Sequence, residues 1–313
     1  MSSEDNESTD TALAGLPLLR HNRYDLRPVA RGAQEAWPGG NKLAVYVAIG
    51  VEDYDFGGNH VENLLEGVPA PDYVNASWRD YGNRVGAFQL LRRLDAYGFP
   101  PTVLLNTAVY DSAPELISEM RRMSSEMVGH GVSNSHSLEG MSERQERAYL
   151  EAVAERIKSE EGEAPFGWSS PWLTQTYNTL DLLADTGYRY VLDFRLDDKP
   201  VALNMPKRPL VAIPYALELN DSTSVIGRGV SATEFADMII DEFDELMLAA
   251  AEQPLVMSIV VHSFISGVPF RLKQLTRALE HIAAHAASVW LTQPRQIFDA
   301  ASTYLGVEPS PRE

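Results

Sequence analysis

Three short stretches, far apart in the chain, hold the side chains best suited to moving protons. They are Glu52-Asp53 at the end of a Gly-Val-Glu-Asp run, His130 between Gly129 and Gly131 with Asn134 and His136 just beyond, and His262 in Val-His-Ser. Carboxylates and imidazoles take and return protons near neutral pH, so the set could activate a water molecule and protonate a leaving group. Each stretch follows or lies in an apolar, β-branched run, over residues 43–49, 125–128 and 255–261. Acid and imidazole groups would then emerge together at strand ends, as in barrel enzymes. Adjacent carboxylates on an extended strand point to opposite sides, so one of Glu52 and Asp53 can face the cavity while the other serves a cation or a loop. Taken alone, each stretch also reads as an acidic turn or a structural histidine.

The elements that must position these groups alternate. Strand patterns at 42–51, 101–106, 125–129, 165–169, 190–194, 210–214, 255–261 and 289–292 take turns with helical spacing at 79–97, 114–123, 143–160, 178–187, 232–251, 270–285 and 294–303. Two helices open on capping boxes, Ser142-x-x-Gln145 and Ser231-x-x-Glu234. Repeated βα units without a linker predict an α/β fold with a parallel sheet closed into a distorted barrel, in one domain over 21–313 behind a disordered acidic tail over 1–20. The loops at 56–78 and 193–209 read as irregular. Gly57-Gly58-Asn59 has neither a P-loop lysine nor dinucleotide spacing.

Composition narrows the chemistry. The formal charge of −18 argues against nucleic acid or an anionic membrane as partner. With no cysteine, thiol catalysis, disulfides and cysteine zinc sites are excluded, so any metal must be held by imidazole and carboxylate. The opening Met-Ser-Ser-Glu-Asp-Asn-Glu lacks the apolar core of a signal peptide, and the expected location is cytoplasmic.

The acid pair after the first strand, Gly-His-Gly after the third, Gly-Trp-Ser-Ser-Pro at 167–171, Ile-Pro-Tyr at 213–215 followed by Glu218-Leu-Asn-Asp221, and His262 followed by Gly267-x-Pro269-x-Arg271 occur in the order of the polysaccharide deacetylase superfamily. The chain resembles that superfamily over about 43–302. The segment Ser77-Trp-Arg-Asp-Tyr-Gly-Asn-Arg84-Val-Gly86 and the Pro-Tyr…Glu…Asn-Asp element make it similar to the allantoinase-like branch. The resemblance implies a distorted (β/α)7 barrel, a homo-oligomer, and hydrolysis of a carbon–nitrogen bond with Glu52, Asp53, His130 and His262 as catalytic groups. By position, Glu52 would be the base, Asp53 and His130 metal ligands, and His262 the acid.

This chain departs from the sugar deacetylases in two places. Their second metal histidine falls at Asn134 here, and His136 stands two residues on, ~6–7 Å along an extended chain. Asp53, His130 and His136 could form a three-ligand site only if the loop bends back. The expected cofactor is therefore none, or one divalent metal, zinc foremost. The arginine that supports their catalytic carboxylate is also replaced, around Trp168. Substrate-facing candidates are Arg84, Asn134, Trp168, Tyr215, Glu218 and Asn220. Trp168 offers a flat wall for a planar ring, with core packing as its other reading, and Trp172 shares both. The alternatives for the others are an ion pair at Arg84 and a polar loop at 215–220.

The expected reaction is opening of a small cyclic ureide or imide, with a small molecule as the only partner besides further copies of the chain. Its rivals are a metal-dependent N-deacetylase acting on an N-acetylated sugar and a barrel that binds a small molecule without catalysis.

Overall fold

The structure, a computed structural model, describes residues 20–27, 36–58 and 60–310. The expected tail over 1–20 lies outside the described residues, apart from Arg20. The strands are β1 (Leu43–Val51), β2 (Pro101–Leu105), β3 (Glu126–Gly129), β4 (Gly167–Trp168), β5 (Tyr190–Val191), β6 (Val201–Ala202), β7 (Val211–Ala212), β8 (Leu255–His262) and β9 (Val289–Leu291). They hydrogen-bond in the order β6-β7-β5-β4-β3-β2-β1-β8, with β9 beside the start of β1. All pairs are parallel except β6 with β7. Around them run α1 (Tyr73–Tyr81), α2 (Ala87–Ala96), α3 (Val109–Ser112), α4 (Pro114–Arg122), α5 (Glu143–Glu161), α6 (Thr179–Thr186), α7 (Ala232–Ala249), α8 (Pro269–Ala283) and α9 (Pro294–Leu305). Among the described residues, no helix is long and apolar enough to cross a membrane.

Every residue of β1 and β8 is buried. Both strands read as unbroken apolar runs because a parallel strand at the centre of an α/β fold is covered on both faces. The sheet curls into the expected distorted barrel, but its last gap is closed by single contacts and not by a strand pair. Tyr46 donates to the Pro214 carbonyl at 2.7 Å, Ser258 Oγ accepts from the Ala216 amide at 2.7 Å, and the Val260 amide donates to the Leu219 carbonyl at 2.9 Å. An isolated parallel bridge joins Asn220 to Val260.

Both capping boxes form, at Ser142 with Gln145 and at Ser231 with Glu234. The helix expected over 79–97 is different. It begins earlier, at Tyr73, where Asp72 caps it by accepting the Asn75 amide, and a π-helical turn at Gly82–Gly86 divides it. Backbone crowding accounts for the small residues in that turn. A Cβ built on Gly86 would meet the Ser263 carbonyl oxygen at 2.0 Å, and one on Gly82 would meet Ser263 Oγ at 2.5 Å. Gly267 is as confined, with the Gly86 Cα 2.5 Å from where its own Cβ would sit. The turn therefore packs backbone to backbone on the segment that leaves β8 just after His262. The second-half strands β4, β5 and β7 are two residues each, shorter than their patterns, and α3, β6 and a second π-helical turn at Ser222–Gly227 were not foreseen.

Because neither backbone can yield cheaply, Gly86→Ala should lower the melting temperature by ~3 °C or more. A thermal melt checks this, and an unchanged transition would show that the two segments separate without cost.

Candidate active site

Register brings the three stretches together. Gly50 pairs with His262 on one side of β1 and with Leu104 on the other, and Leu105 pairs with Gly129, so Glu52, His130 and His262 leave neighbouring strands at one end of the barrel. Glycine at position 50 leaves room for this meeting, since a Cβ there would lie 2.6 Å from the His262 ring and 3.3 Å from Glu52 Oε1. Asn106, at the end of β2, braces the group. Its Oδ1 accepts the Asp53 amide at 2.9 Å and its Nδ2 donates to the His130 carbonyl.

The Glu52 carboxylate is buried, with Oε1 3.4 Å from His130 Nε2 and 3.4 Å from His262 Nε2. Tyr54 donates its hydroxyl to Oε2 at 2.5 Å, and Asn83 Nδ2 donates to the Glu52 carbonyl at 2.8 Å. Both imidazoles are anchored through Nδ1. That of His130 is 2.8 Å from the Ser169 carbonyl, which can only accept, so Nδ1 carries a proton. That of His262 is 2.6 Å from Asp221 Oδ1. Asp221 is fully buried and also accepts from the His262 amide and from the Ser266 amide and hydroxyl. Asp193 is a similar brace near His130, accepting from the Ser170 amide and hydroxyl and from Gln175 Nε2 beside the carbonyl that holds the imidazole.

Burial alone would raise the Glu52 pKa. The charge of His262 and the hydrogen bonds from the two imidazoles outweigh it and hold the carboxyl well below its usual range. Burial would likewise lower His262, but Glu52 and Asp221 lift it well above the ordinary imidazole value. The resting pair is therefore a carboxylate and an imidazolium. Such a pair can accept a proton at Glu52 and deliver one from His262 Nε2.

The other expected residues divide. Asn134 is beside Glu52, buried, with Nδ2 donating to the Tyr54 hydroxyl at 3.2 Å and Oδ1 without a hydrogen-bond partner among the described residues. Its backbone is pinned at both ends, by the Asp53 carbonyl at 2.9 Å and by the indole N–H of Trp172 at 2.6 Å. Trp172 and the following Leu173 both have positive φ, 57° and 54°, a strained placement for residues with a Cβ. Tyr215 is buried near Tyr46, and burial keeps its phenol protonated. Arg84 is exposed and shares a cavity of about 240 Å³ with Glu52, Asp53, Tyr54, Arg79 and Asn83.

Four expectations need correction. Asp53 stands apart from the Glu52 cluster: its Oδ1 accepts its neighbour's amide, at Tyr54, and its carbonyl accepts from Ser133 Oγ and the Asn134 amide. His136 does not bend in; its side chain is 40% exposed and Nε2 lies 3.8 Å from Asp55. Among the described residues no three His, Asp or Glu side chains are gathered so that they could hold a metal ion. The set Asp53, His130 and His136 is thus not gathered as a ligand triad. Trp168 is no wall for a ligand: it is fully buried, edge-on to Tyr188, with its N–H on Ser170 Oγ. In the 215–220 segment, Glu218 is turned outward, 3.6 Å from Arg228, and Asn220 serves the bridge to β8 with its Oδ1 on the Ser222 amide.

Sequence reasoning missed Tyr54, Asn106 and Asp221 as site residues, although Asn106 ends a strand it had marked, Asp221 closes the 218–221 element and Tyr54 directly follows the acid pair. It also missed Glu62, half-buried in the β1–α1 loop, which accepts from Ser222 Oγ at 2.9 Å and whose carboxyl is raised by burial.

The family model for polysaccharide deacetylase matches residues 74–191, which hold His130, Asn134 and Trp168 but not Glu52 or His262. The chain is 24% identical over 304 residues to a putative polysaccharide deacetylase of Schizosaccharomyces pombe, covering 85% of this chain and 92% of the relative. Among solved structures, PuuE allantoinase superposes with a TM-score of 0.75 at 27% identity, over 85% of this chain and 92% of that one. A probable polysaccharide deacetylase from Pseudomonas aeruginosa PAO1 gives 0.74 at 26%, over 85% and 93%. These likenesses and the proton-transfer pair at the strand ends agree: residues 74–191 match the polysaccharide deacetylase family model, and the chain is an enzyme of the amidohydrolase kind, acting on carbon–nitrogen bonds.

Proposed function

We propose that the enzyme opens a small cyclic ureide or imide, with Glu52 as general base and His262 as general acid. Asn134 carries the reading. At the position that would otherwise add a metal-binding imidazole stands a buried amide whose Oδ1 has no partner among the described residues. An unsatisfied buried acceptor costs roughly 1–3 kcal/mol, a cost relieved when a ligand N–H fills it. Ureides and imides carry such N–H groups beside their carbonyls. The likeness to an allantoinase supports the same choice, and the cavity of about 240 Å³ beside Glu52 suits a small ring.

In the proposed reaction Glu52 takes a proton from water as the oxygen attacks a ring carbonyl. The His262 imidazolium lies next to the negative charge that develops. Collapse breaks the ring C–N bond, and the proton on His262 Nε2 passes to the departing nitrogen. Glu52 then holds the proton taken from water and His262 is neutral; transfer of that proton across the 3.4 Å from Oε1 to His262 Nε2 restores the resting pair, and the new carboxylic acid releases its own proton to solvent as the product leaves. Asp221 holds His262 with Nε2 toward Glu52, and Ser169 does the same for His130.

Two of the relatives bear the name deacetylase, so the decisive comparison is between substrates. Incubated with hydantoin, allantoin and dihydrouracil on one hand and N-acetylglucosamine oligomers on the other, the protein should open at least one ring, at a rate that EDTA does not change. Acetate release from the oligomers with no ring opened would replace this reading with the deacetylase one.

On the ring that is opened, Glu52→Gln and His262→Ala should each lower turnover by ~10²-fold or more in protein whose circular dichroism shows it folded at the assay temperature. Full activity in either variant would remove that residue from the mechanism.

The pH dependence follows from the resting pair. Glu52 is depressed below its ordinary 4.5, and His262 is raised above its ordinary 6.5, so kcat/KM should hold a plateau over at least that span and fall at more alkaline pH as His262 loses its proton. The same shifts act on stability. The His262 contribution is fully present below 6.5 and is lost as pH rises through its raised value, whereas that of Glu52 is present above 4.5 and is lost as pH falls through its depressed value. A rate that climbs between pH 6.5 and 8, as a neutral imidazole base would give, contradicts the assignment.

A further inference from the structure

The hydroxyl of Tyr54 stands between the two residues to which the proposed reaction gives separate tasks. It donates to Glu52 Oε2 at 2.5 Å and accepts from Asn134 Nδ2 at 3.2 Å. Every other constraint on the ring is apolar or electrostatic: it lies edge-on to Phe264 at 6.0 Å between centroids, and the Arg79 guanidinium sits over its face at 5.2 Å. Arg79 is itself buried and fixed by the Glu62 carbonyl and Asn63 Oδ1. The hydroxyl is thus held in place from behind, while Asn134 is held by Asp53 and Trp172 through its backbone. At the far end of this row of hydrogen bonds, Asn134 Oδ1 has no partner among the described residues.

We propose that Tyr54 is a positioning residue that couples recognition of the substrate N–H at Asn134 to orientation of Glu52. Hydrogen bonds in a row polarise one another. When Asn134 Oδ1 accepts a substrate N–H, its amide becomes a stronger donor to Tyr54, whose hydroxyl in turn grips Oε2 more tightly. Engaging Oε2 fixes the carboxylate plane and leaves Oε1, the oxygen facing both imidazoles, to take the proton from water. A ligand without an N–H at that place would bind near the carboxylate but leave the chain unloaded. The inference rests on the reading of Glu52 as base and Asn134 as the N–H acceptor.

The test is a double-mutant cycle on a ring that the enzyme opens, with Glu52→Gln as control. Tyr54→Phe keeps the ring contacts and should lower kcat by ~10-fold or more with KM within ~2-fold. Asn134→Ala should raise KM and lower kcat, but in the Tyr54→Phe background its effect on kcat should shrink by ~5-fold or more. Independent effects on kcat would overturn the coupling, and an unchanged kcat in Tyr54→Phe would overturn the role of Tyr54. If Glu52→Gln turns over normally, the reading of the base has failed, and the coupling falls with it; an inactive control with additive effects removes the coupling alone. Should Tyr54→Phe fail to fold, 3,5-difluorotyrosine at position 54 preserves shape and hydroxyl while strengthening the donor. A kcat within ~2-fold of wild type in that protein would also overturn the proposal.

Discussion

The site depends on one arrangement of charge: a buried carboxylate flanked by two imidazoles. A lone carboxylate as deeply placed as Glu52 would protonate sooner than pay for burial, and a lone buried imidazole would stay neutral. Here each group keeps the other ionised. His262 needs a second carboxylate to hold its proton, and Asp221 supplies it at 2.6 Å while also accepting four further N–H and O–H contacts from His262 and Ser266. The reactive state of the pair is therefore a property of its surroundings. Removing one charge would leave its neighbours buried and uncompensated, which costs more than the lost contact itself.

Such a cluster tolerates little play, and the backbone near it is correspondingly tight. Glycine at position 50 admits the His262 ring against β1, and Gly82, Gly86 and Gly267 let the π-helical turn lie directly on the segment after His262. Asn106 ties the ends of β1 and β3 through two hydrogen bonds, so Glu52 and His130 are spaced by a shared brace as well as by strand pairing. Short strands in the second half do not weaken this. They bring Ser169 and Asp193 to the rim, where the carbonyl that fixes His130 is itself held by a small polar network.

Much of this was legible in the sequence because strand ends announce themselves. Glu52, His130 and His262 each stop an apolar run, and parallel strands in one barrel must deliver their ends to one rim. The residues that could not be read are those whose direction depends on a contact made elsewhere. In the segment from Glu218 to Asp221, four polar or apolar candidates follow one another, and only the bridge of Asn220 to Val260 decides that Glu218 faces water and Asp221 faces His262. Trp168 reads equally as wall or core until its neighbours, Tyr188 and Ser170, are known. The π-helical turn was hidden for the same reason, since helical spacing in 79–97 carries no sign of the backbone it must meet.

The charge balance also bears on what the site can hold. Glu52 and Asp221 already place two negative charges around the imidazolium of His262, and Glu62 nearby resists ionisation because it is buried and because Glu52 and Asp221 oppose its charge. Asn134 adds an amide hydrogen bond to this group and no further positive charge. An anionic substrate would meet the Glu52 carboxylate on entry, whereas a neutral ring would meet an imidazolium and an unfilled acceptor. Under the proposed reaction the ring enters neutral and leaves as a carboxylate. The electrostatics that suit the substrate would then disfavour the product, so opening the ring itself drives the product out of the site.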